Sequence, residues 1–364
     1  MSQTVPEKEL PSAQSRLEEA RRRHAQEVMA AAEAAKDPAG YETYEYHPAS
    51  AEPGRSVFLA RCIGRGHVRK GQPCQDYCAW DEYGSYTLLT DADGVSACKH
   101  SDAGSRLACQ AVKEVFRDAA QACPDEETFV QNLLRPVFRE RVVKRWIALI
   151  REELDKREDK PETLMQGLYE YGSTLLFAVA APHWYVLGNL GDGQAMVFNH
   201  KFGIKLRQTQ KVSSAVRCLV HETCAREDFV VEAFPRSLFD SVLLSTDGMY
   251  DILEPAFHFY SYGRELRHRF LGQRPPEPLQ PFCYTEGREP IKDFSRMRTQ
   301  DDCSIALLLD DRPADTALYD QIDRRVMEEY EGMLPVHLGD AVYGALAERR
   351  EPEQGWVCSK LFVK

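Results

Sequence analysis

Short apolar runs bounded by turn residues alternate with polar stretches from residue 56 to about residue 310. The runs are four to eight residues long and rich in β-branched and aromatic side chains, a pattern typical of strands. We therefore expect strands in the segments SVFLARCI, DYCAW, YTLLT, STLLFAVA, WYVLGNL, QAMVFN, FVVEAF, SVLLST and CSIALLL.

Two stretches with helical periodicity interrupt these strands. Residues 104–120 carry apolar side chains on one face at helical spacing, which predicts an amphipathic helix. A second, longer helical stretch runs from Phe129 to Ile150, and Pro136 predicts a bend within it. Many antiparallel strands with an inserted helical pair indicate an α+β fold, in which two packed antiparallel β-sheets are flanked by helices.

The flanking regions have a different character. Residues 12–36 are charged and alanine-rich, which predicts a helix, and the prolines and glycines of residues 37–54 predict a linker. Beyond residue 312 the strand pattern weakens and helical periodicity returns. We predict a helical extension and linker over 1–54, one domain over 55–312, and a helical tail over 313–364.

Charge and composition exclude several classes of protein. The net charge of −11 argues against a nucleic-acid-binding protein, which should carry a basic face. No apolar run approaches the ~20 residues of a membrane span, and the polar N-terminus lacks the apolar centre of a secretory signal. The eleven cysteines form no CxxC pair, so we expect reduced thiols in a cytoplasmic protein rather than a zinc site.

One segment has the opposite charge. Residues 200–217 contain five basic side chains and no acid. This segment is either a solvated loop or a surface that attracts an anionic substrate. If the second interpretation holds, we expect Lys205 and Arg207 to bind substrate.

Acidic residues fall at the ends of predicted strands. Asp76 precedes YCAW, and Asp93 follows YTLLT, the next strand after the hairpin turn DEYGS. The start of one antiparallel strand and the end of the next share an edge, so these two acids should be neighbours. By the same reasoning, Asp247 after SVLLST and Asp301 before CSIALLL share an edge if those strands pair antiparallel.

Four carboxylates in one place would repel one another strongly unless cations were present. Hard oxygen ligands select Mg²⁺ or Mn²⁺ rather than zinc. Two such ions, ~3.5–4 Å apart, can activate a water and stabilise an in-line displacement at phosphorus. The spacing therefore predicts a metal site and suggests hydrolysis.

Five motifs, in chain order, carry a family resemblance. GHVRKGQPCQDY, TDADGVS, GSTLLFAVAAPHWYVLGNLGDGQAMVF, LLSTDGMYD and DDCSIALL resemble the series found in type 2C metal-dependent protein phosphatases, most closely in a divergent bacterial branch. The resemblance covers about residues 56–310 and implies two antiparallel sheets packed face to face with helices outside. It also implies hydrolysis of phosphoserine and phosphothreonine in proteins by metal-activated water, with a Ser/Thr kinase as the opposing enzyme.

The resemblance assigns metal ligands by position. Asp76 would ligate one ion, Asp93 would bridge two ions, and the Gly94 carbonyl would take a further ligand position. Asp247 and Asp301 would complete the shell of one ion. The implied cofactors are two Mn²⁺ or Mg²⁺ ions.

A third ion is also implied. Asp192 in LGDGQ and Asp251 in DGMYD match acids that resemble a weaker third-metal site. Asp302 falls where the family often has asparagine, so we prefer Asp301 as the ligand.

Two departures from the family pattern concern catalysis. Many members have a histidine, regarded as the leaving-group acid, where this chain has Val95. His67 or His100 is the candidate substitute. The phosphate-binding arginine of the first motif is matched by either Arg69 or His67, because the spacing differs from the commoner form.

Two other interpretations remain open. An apolar strand followed by Asp-x-Asp-Gly also resembles the haloacid-dehalogenase superfamily, in which Asp91 would be a covalent nucleophile. That fold needs a parallel sheet, yet three predicted strands between Tyr171 and Phe198 leave almost no room for a crossover helix. The second alternative is a catalytically inactive phosphatase fold that binds phosphoproteins or acts as a scaffold.

We expect Asp91 to support the metal site without binding an ion.

Overall fold

The computed structural model describes residues 42–50, 52–199, 203–206, 218–219, 224, 228–250, 256–272 and 299–312. The described strands are β1 (Glu42–Pro48), β2 (Arg55–Cys62), β3 (Tyr77–Tyr83), β4 (Tyr86–Ala92), β5 (Leu175–Ala180), β6 (Trp184–Leu190), β7 (Gln194–Phe198), β8 (Gly203–Lys205), β9 (Val230–Pro235), β10 (Ser241–Ser245) and β11 (Cys303–Asp310). The described helices are α1 (Arg65–Lys70), α2 (Ser101–Ala122), α3 (Glu126–Leu134), α4 (Pro136–Lys156), α5 (Leu164–Tyr169), α6 (Asp247–Tyr250) and α7 (Ala256–Arg267), which the π-helical segment His268–Gly272 continues.

The strands form two sheets, and every strand pair within them is antiparallel. One sheet has the order β1-β2-β11-β10-β7-β8, and the other has the order β3-β4-β5-β6-β9. Each of the nine predicted strands is present. The predicted fold class, two packed antiparallel sheets flanked by helices, is confirmed.

Three apolar layers hold this sandwich together. The middle layer joins the facing sides of the sheets, with Leu59 from β2 against Leu89 from β4 and Leu176 from β5. Helices α2, α3 and α4 cover the outer face of the second sheet, and α7 covers that of the first. Alternation of side chains along each strand supplies both faces of a sheet. The central strands β5, β7, β10 and β11 are therefore buried on both sides, and their sequences are nearly continuous apolar runs.

The structure corrects the predicted linker over residues 37–54. Strand β1 lies within it and pairs with β2 from Glu42 opposite Cys62 to Pro48 opposite Ser56. The Tyr44 side chain is buried in the core beneath α7. The linker prediction was therefore wrong for residues 42–48. The predicted helix over 12–36 and the tail over 313–364 lie outside the described residues, and the domain division stays a prediction.

Two local sequence signals predicted the connections between elements correctly. The hairpin predicted at DEYGS joins β3 to β4, and Gly84 adopts a φ of 57° there, a conformation that glycine tolerates at little cost. The bend predicted at Pro136 separates two helices, with the proline in the first turn of α4, where its missing N–H costs nothing. Among the helices in the described ranges, none is long and apolar enough to cross a membrane.

Candidate metal centre

The first predicted acid pair lies at one edge of the second sheet. The β3–β4 ladder ends with Tyr77 opposite Ala92, and the Gly94 amide donates to the Gln75 carbonyl at 3.0 Å. Asp76 and Asp93 are therefore neighbours, as predicted. The charge of Asp93 raises the pKa of Asp76, as expected of two carboxyl groups that lie close together.

The second pair lies at the corresponding edge of the first sheet. Strand β10 pairs with β11, with Ser245 opposite Ile305, so Asp247 and Asp301 project beyond the same edge. Gly248 packs so closely here that a Cβ added to it would lie 3.3 Å from the Asp301 Cβ. The prediction that these two acids share an edge is confirmed.

The two edges meet. Burial raises the pKa of Asp93, and the nearby charges of Asp247 and Asp301 raise it further. Burial also raises the pKa of Asp76 well above its usual range, and Asp93 and Asp302 add to that shift. Like charges disfavour the ionised form of each neighbour, so this acidic group would be stabilised by a cation.

Two hydroxyl groups hold the Asp76 carboxylate. Thr246 Oγ1 donates to its Oδ2 at 2.7 Å, and Ser304 Oγ lies 2.9 Å from the same oxygen. Asp76 itself is only 1% exposed. The sequence argument missed both hydroxyl residues, although each stands next to a predicted acid motif, in STDG and in DDCS.

Asp91 lies beneath this group and is fully buried. Its Oδ1 is 2.6 Å from Ser304 Oγ, whereas its Oδ2 has no partner among the described residues. Burial raises the pKa of Asp91 to about 7. The haloacid-dehalogenase interpretation fails here, because the described sheets are antiparallel and Asp91 is enclosed between β3 and β5.

The backbone around Asp93 is tightly fixed. The Asp93 amide donates to Thr174 Oγ1 at 2.9 Å, and the Thr174 amide donates to the Asp93 carbonyl at 2.8 Å. A Cβ added at Gly94 would collide with the Ser101 carbonyl oxygen. Glycine at position 94 therefore permits the close approach of α2 to this turn.

The predicted third-metal acids are only partly described. Asp192 is 7% exposed and lies between β6 and β7. Its charge raises the pKa values of Asp93 and Asp301, in each case adding to the effect of burial. Asp192 thus belongs to the same acidic group, whereas Asp251 lies outside the described residues.

The two predicted catalytic side chains lie in different surroundings. His67 is buried, at 5% exposed, and its Nδ1 lies 2.9 Å from Asp302 Oδ1. Arg69 is exposed and donates to Gln300 Oε1 at 3.3 Å.

His100 is placed elsewhere, at the start of α2. Its ring lies 5.3 Å from the ring of Tyr171, and its Nε2 is 3.7 Å from the Glu170 carboxylate. Nothing in these contacts connects it to the acidic group.

Lys205 ends the short strand β8, which the loop interpretation of this segment did not predict. It is half-buried, and its Nζ donates to the Tyr250 hydroxyl at 2.9 Å. Tyr250 ends α6, the helix that begins at Asp247, so Lys205 contacts the short helix that carries Asp247. Arg207 and most of the basic segment lie outside the described residues.

The donor set suits a hard cation, because it consists of carboxylate oxygens and a nearby backbone carbonyl. Within the ranges that the structure describes, no three His, Cys, Asp or Glu side chains are close enough together to hold one ion. The acids therefore share one edge of the sandwich without forming a complete coordination shell.

Comparison with known proteins identifies the family of this chain. A family model described as protein phosphatase 2C matches residues 63–281, and no curated protein gives a significant match. The serine/threonine phosphatase Stp1 from Staphylococcus aureus is 12% identical, with a TM-score of 0.46 over 74% of this chain and 95% of its own.

Two further solved structures are similar to the same degree. The S. agalactiae serine/threonine phosphatase is 14% identical, with a TM-score of 0.47 over 71% of this chain and 100% of its own. The Mycobacterium tuberculosis phosphatase PstP/Ppp is 13% identical, with a TM-score of 0.45 over 71% and 99%. The family model alone spans more than half of the sequence, and the chain belongs to the protein phosphatase 2C family.

Proposed function

We propose that this chain is a phosphoserine/phosphothreonine protein phosphatase that uses Mn²⁺ or Mg²⁺ in a two-metal site. Its family is metal-dependent and acts on phosphoproteins. The observation that carries the proposal is the meeting of two acid pairs from different sheets, reflected in the raised pKa of Asp93. Such a group is costly to bury unless cations offset it.

The proposed ligands are the acids at this edge. Asp76, Asp93, the Gly94 carbonyl, Asp247 and Asp301 would hold two ions, and Asp192 with Asp251 would hold a third. When bound, two such ions supply an activated water and positive charge that stabilises displacement at phosphorus.

The chain's own residues would orient this centre and its substrate. Thr246 and Ser304 occupy Asp76 Oδ2 and so set the direction of its carboxylate. Thr174 fixes the backbone of Asp93 from both sides. Lys205, beside α6, and Arg207 would attract the dianionic phosphoryl group.

Protonation of the leaving group is the least constrained step. Val95 stands where many members have a histidine, and His67, the candidate replacement, is buried against Asp302. Arg69 is exposed at the end of α1, which is compatible with phosphate binding. We propose Arg69 for the phosphate and His67 for the proton.

The test is release of phosphate from phosphoserine and phosphothreonine peptides by the purified chain. We expect release to require added Mn²⁺ or Mg²⁺ and to stop with EDTA, and we expect Asp93→Asn to be inactive under the same conditions. No phosphoenzyme should form, because water is the nucleophile. A stable beryllium fluoride adduct on Asp91 would contradict the proposal.

A scaffold protein that binds phosphopeptides without hydrolysing them is the second candidate. It is favoured by Val95 and by the lack of a complete metal-binding group in the described part of the chain. Phosphopeptide binding with no turnover in either Mn²⁺ or Mg²⁺ would support this candidate over the enzyme.

The setting of the proposed reaction is a cytoplasm. The described cysteines are all free thiols, as expected of a reducing compartment. The opposing enzyme would be a Ser/Thr kinase acting on the same phosphoprotein.

A further inference from the structure

A single buried side chain connects three segments at the start of β11. Asp302 is 2% exposed. Its Oδ1 accepts from the Gly64 amide at 2.6 Å and lies 2.9 Å from His67 Nδ1. Its Oδ2 accepts from the Gln75 amide, also at 2.6 Å. Hydrogen bonds to a charged acceptor are short and strong, and each carboxylate oxygen of Asp302 accepts one from a backbone amide.

The two backbone donors lie at the ends of the segment 64–75, which contains α1 and connects β2 to Asp76. Gly64 is its first residue and Gln75 is its last, so one carboxylate binds both ends of the segment. The Gly66 amide donates to the Gln300 carbonyl at 2.8 Å, and a Cβ added at Gly64 would collide with the Asp301 carbonyl. The segment 64–75 therefore packs directly on the residues that precede β11.

The position of Asp302 has an electrostatic cost. Its charge adds to the effects of burial and of Asp93 in raising the pKa of Asp76. Burying another carboxylate beside an acidic group disfavours that group unless hydrogen bonds compensate. The two backbone donors, Gly64 and Gln75, provide this compensation, and their placement fixes Asp76 relative to Asp301.

We propose that Asp302 is a positioning residue for the metal centre. It binds no ion itself. Asp302 directly follows Asp301 in the chain and accepts a hydrogen bond from Gln75, the residue before Asp76. In this way it sets the separation of the two ligands Asp76 and Asp301. Because it concerns metal ligands, this inference rests on the proposed function.

Two substitutions separate the hydrogen bonds from the charge. Asp302→Asn and Asp302→Ala remove the same charge, but asparagine retains one acceptor oxygen and alanine retains none. We expect Mn²⁺ affinity, measured by calorimetry, to fall about 10-fold in Asp302→Asn and about 100-fold in Asp302→Ala, the range found for groups that orient metal ligands. The difference between the variants measures what the retained amide side chain contributes when the charge is absent from both.

The matched control lies at the other end of the same strand. Asp310 is also 2% exposed and forms an ion pair with Arg236. We expect Asp310→Asn to lower the melting temperature and to leave the Mn²⁺ affinity of the folded protein unchanged. Amide exchange in EDTA supplies a readout without metal, in which Asp302→Ala should accelerate exchange in 64–75 and Asp310→Asn should not.

The outcomes are distinct. Wild-type Mn²⁺ affinity in both Asp302 variants, or equal losses in Asp310→Asn, would overturn the inference and leave the proposed function standing. Loss of folding in both Asp302 variants would also overturn it, because Asp302 would then serve general stability. Wild-type Mn²⁺ binding without phosphatase activity would overturn the proposed function alone, and absence of Mn²⁺ binding by the wild type would overturn both.

Discussion

The two ends of the sandwich treat buried aspartates in opposite ways. At the arginine end, which contains Asp240 and Asp310, each carboxylate has a cationic partner. Arg236 forms an ion pair with Asp310, Arg312 Nε lies 3.3 Å from its Oδ1, and Arg267 Nε donates to Asp240 at 3.0 Å. The desolvation of these acids is offset within the chain.

The acidic end, which contains Asp76, Asp93, Asp247 and Asp301, has the reverse arrangement. The pKa values of Asp76 and Asp93 are raised first by burial and then by other acids. In the described part of the chain, no ion pair neutralises either side chain. Buried charge without a partner is unfavourable. The arginine end compensates its acids within the chain, whereas the proposed function supplies a cation from outside at the acidic end.

The sharpest test of this contrast is Asp93→Asn. We expect turnover with Mn²⁺ to fall roughly 10³-fold, because Lewis-acid stabilisation contributes several kcal/mol to the transition state. The metal-free protein should be as stable as the wild type or more so, since repulsion among the acids decreases. Steady-state rates and melting in EDTA measure the two effects. Turnover within tenfold of the wild type would contradict the proposal that the acids at this end of the sandwich bind catalytic metal ions.

Arg236→Ala should lower the stability of the protein and leave its catalysis unchanged, the opposite of what we expect for Asp93→Asn. Arg236 is 8% exposed and donates to Asp310 and to the Ala181 carbonyl. Removing one partner of a buried pair costs about 3–5 kcal/mol, so we expect the free energy of unfolding in urea to fall by that amount. The kcat of the protein that remains folded should not change. A matched loss of kcat would show that the two ends are coupled.

Asp91→Asn gives a smaller effect on catalysis. Because Asp91 acts on Asp76 through Ser304, we expect turnover to fall about tenfold and to remain measurable. If the variant is as inactive as Asp93→Asn, Asp91 has a direct role and its assignment here is wrong.

The same variant predicts a pH effect on stability in EDTA. Burial raises the pKa of Asp91 to about 7, so between about pH 4 and pH 7 the folded state holds a proton that the unfolded state has lost. Wild-type stability should therefore decline over this range as the pH rises. Asp91→Asn should lack that part of the decline, and equal slopes in urea titrations would contradict the assignment.

The smallest effect concerns Lys205, the basic residue that contacts α6. Lys205→Glu should raise the KM for an acidic phosphopeptide about 1.4- to 5-fold, equivalent to the ~0.2–1 kcal/mol of one exposed charge pair. Its salt dependence should weaken, and p-nitrophenyl phosphate turnover should change little.

Tyr250→Phe is the matched control for Lys205→Glu, because it removes the hydrogen bond to Lys205 and keeps the charge. An equal KM change in both variants would assign Lys205 to local structure.

Much of the fold could be predicted because its signals are local. Apolar runs, turn glycines and strand-end acids lie within a few residues of one another, and strand periodicity is independent of distant contacts. Strand β1 was missed because ETYEYHP is charged and lies among prolines and glycines. Only pairing with β2 and burial of Tyr44 beneath α7 make this segment a strand.

The candidate site divides in the same way. The sequence alone determined which acids end the strands and that Asp76 and Asp93 would be neighbours, because the geometry of a hairpin follows from local pattern. That Asp247 and Asp301 are neighbours depended on the pairing of β10 with β11, two strands far apart in the chain. Tertiary structure alone decided which buried acids receive partners. Asp310 meets Arg236, and Asp302 meets Gly64 and Gln75, only once strands distant in the chain have paired. Electrostatic compensation depends on distance in space, which no spacing along the chain reveals.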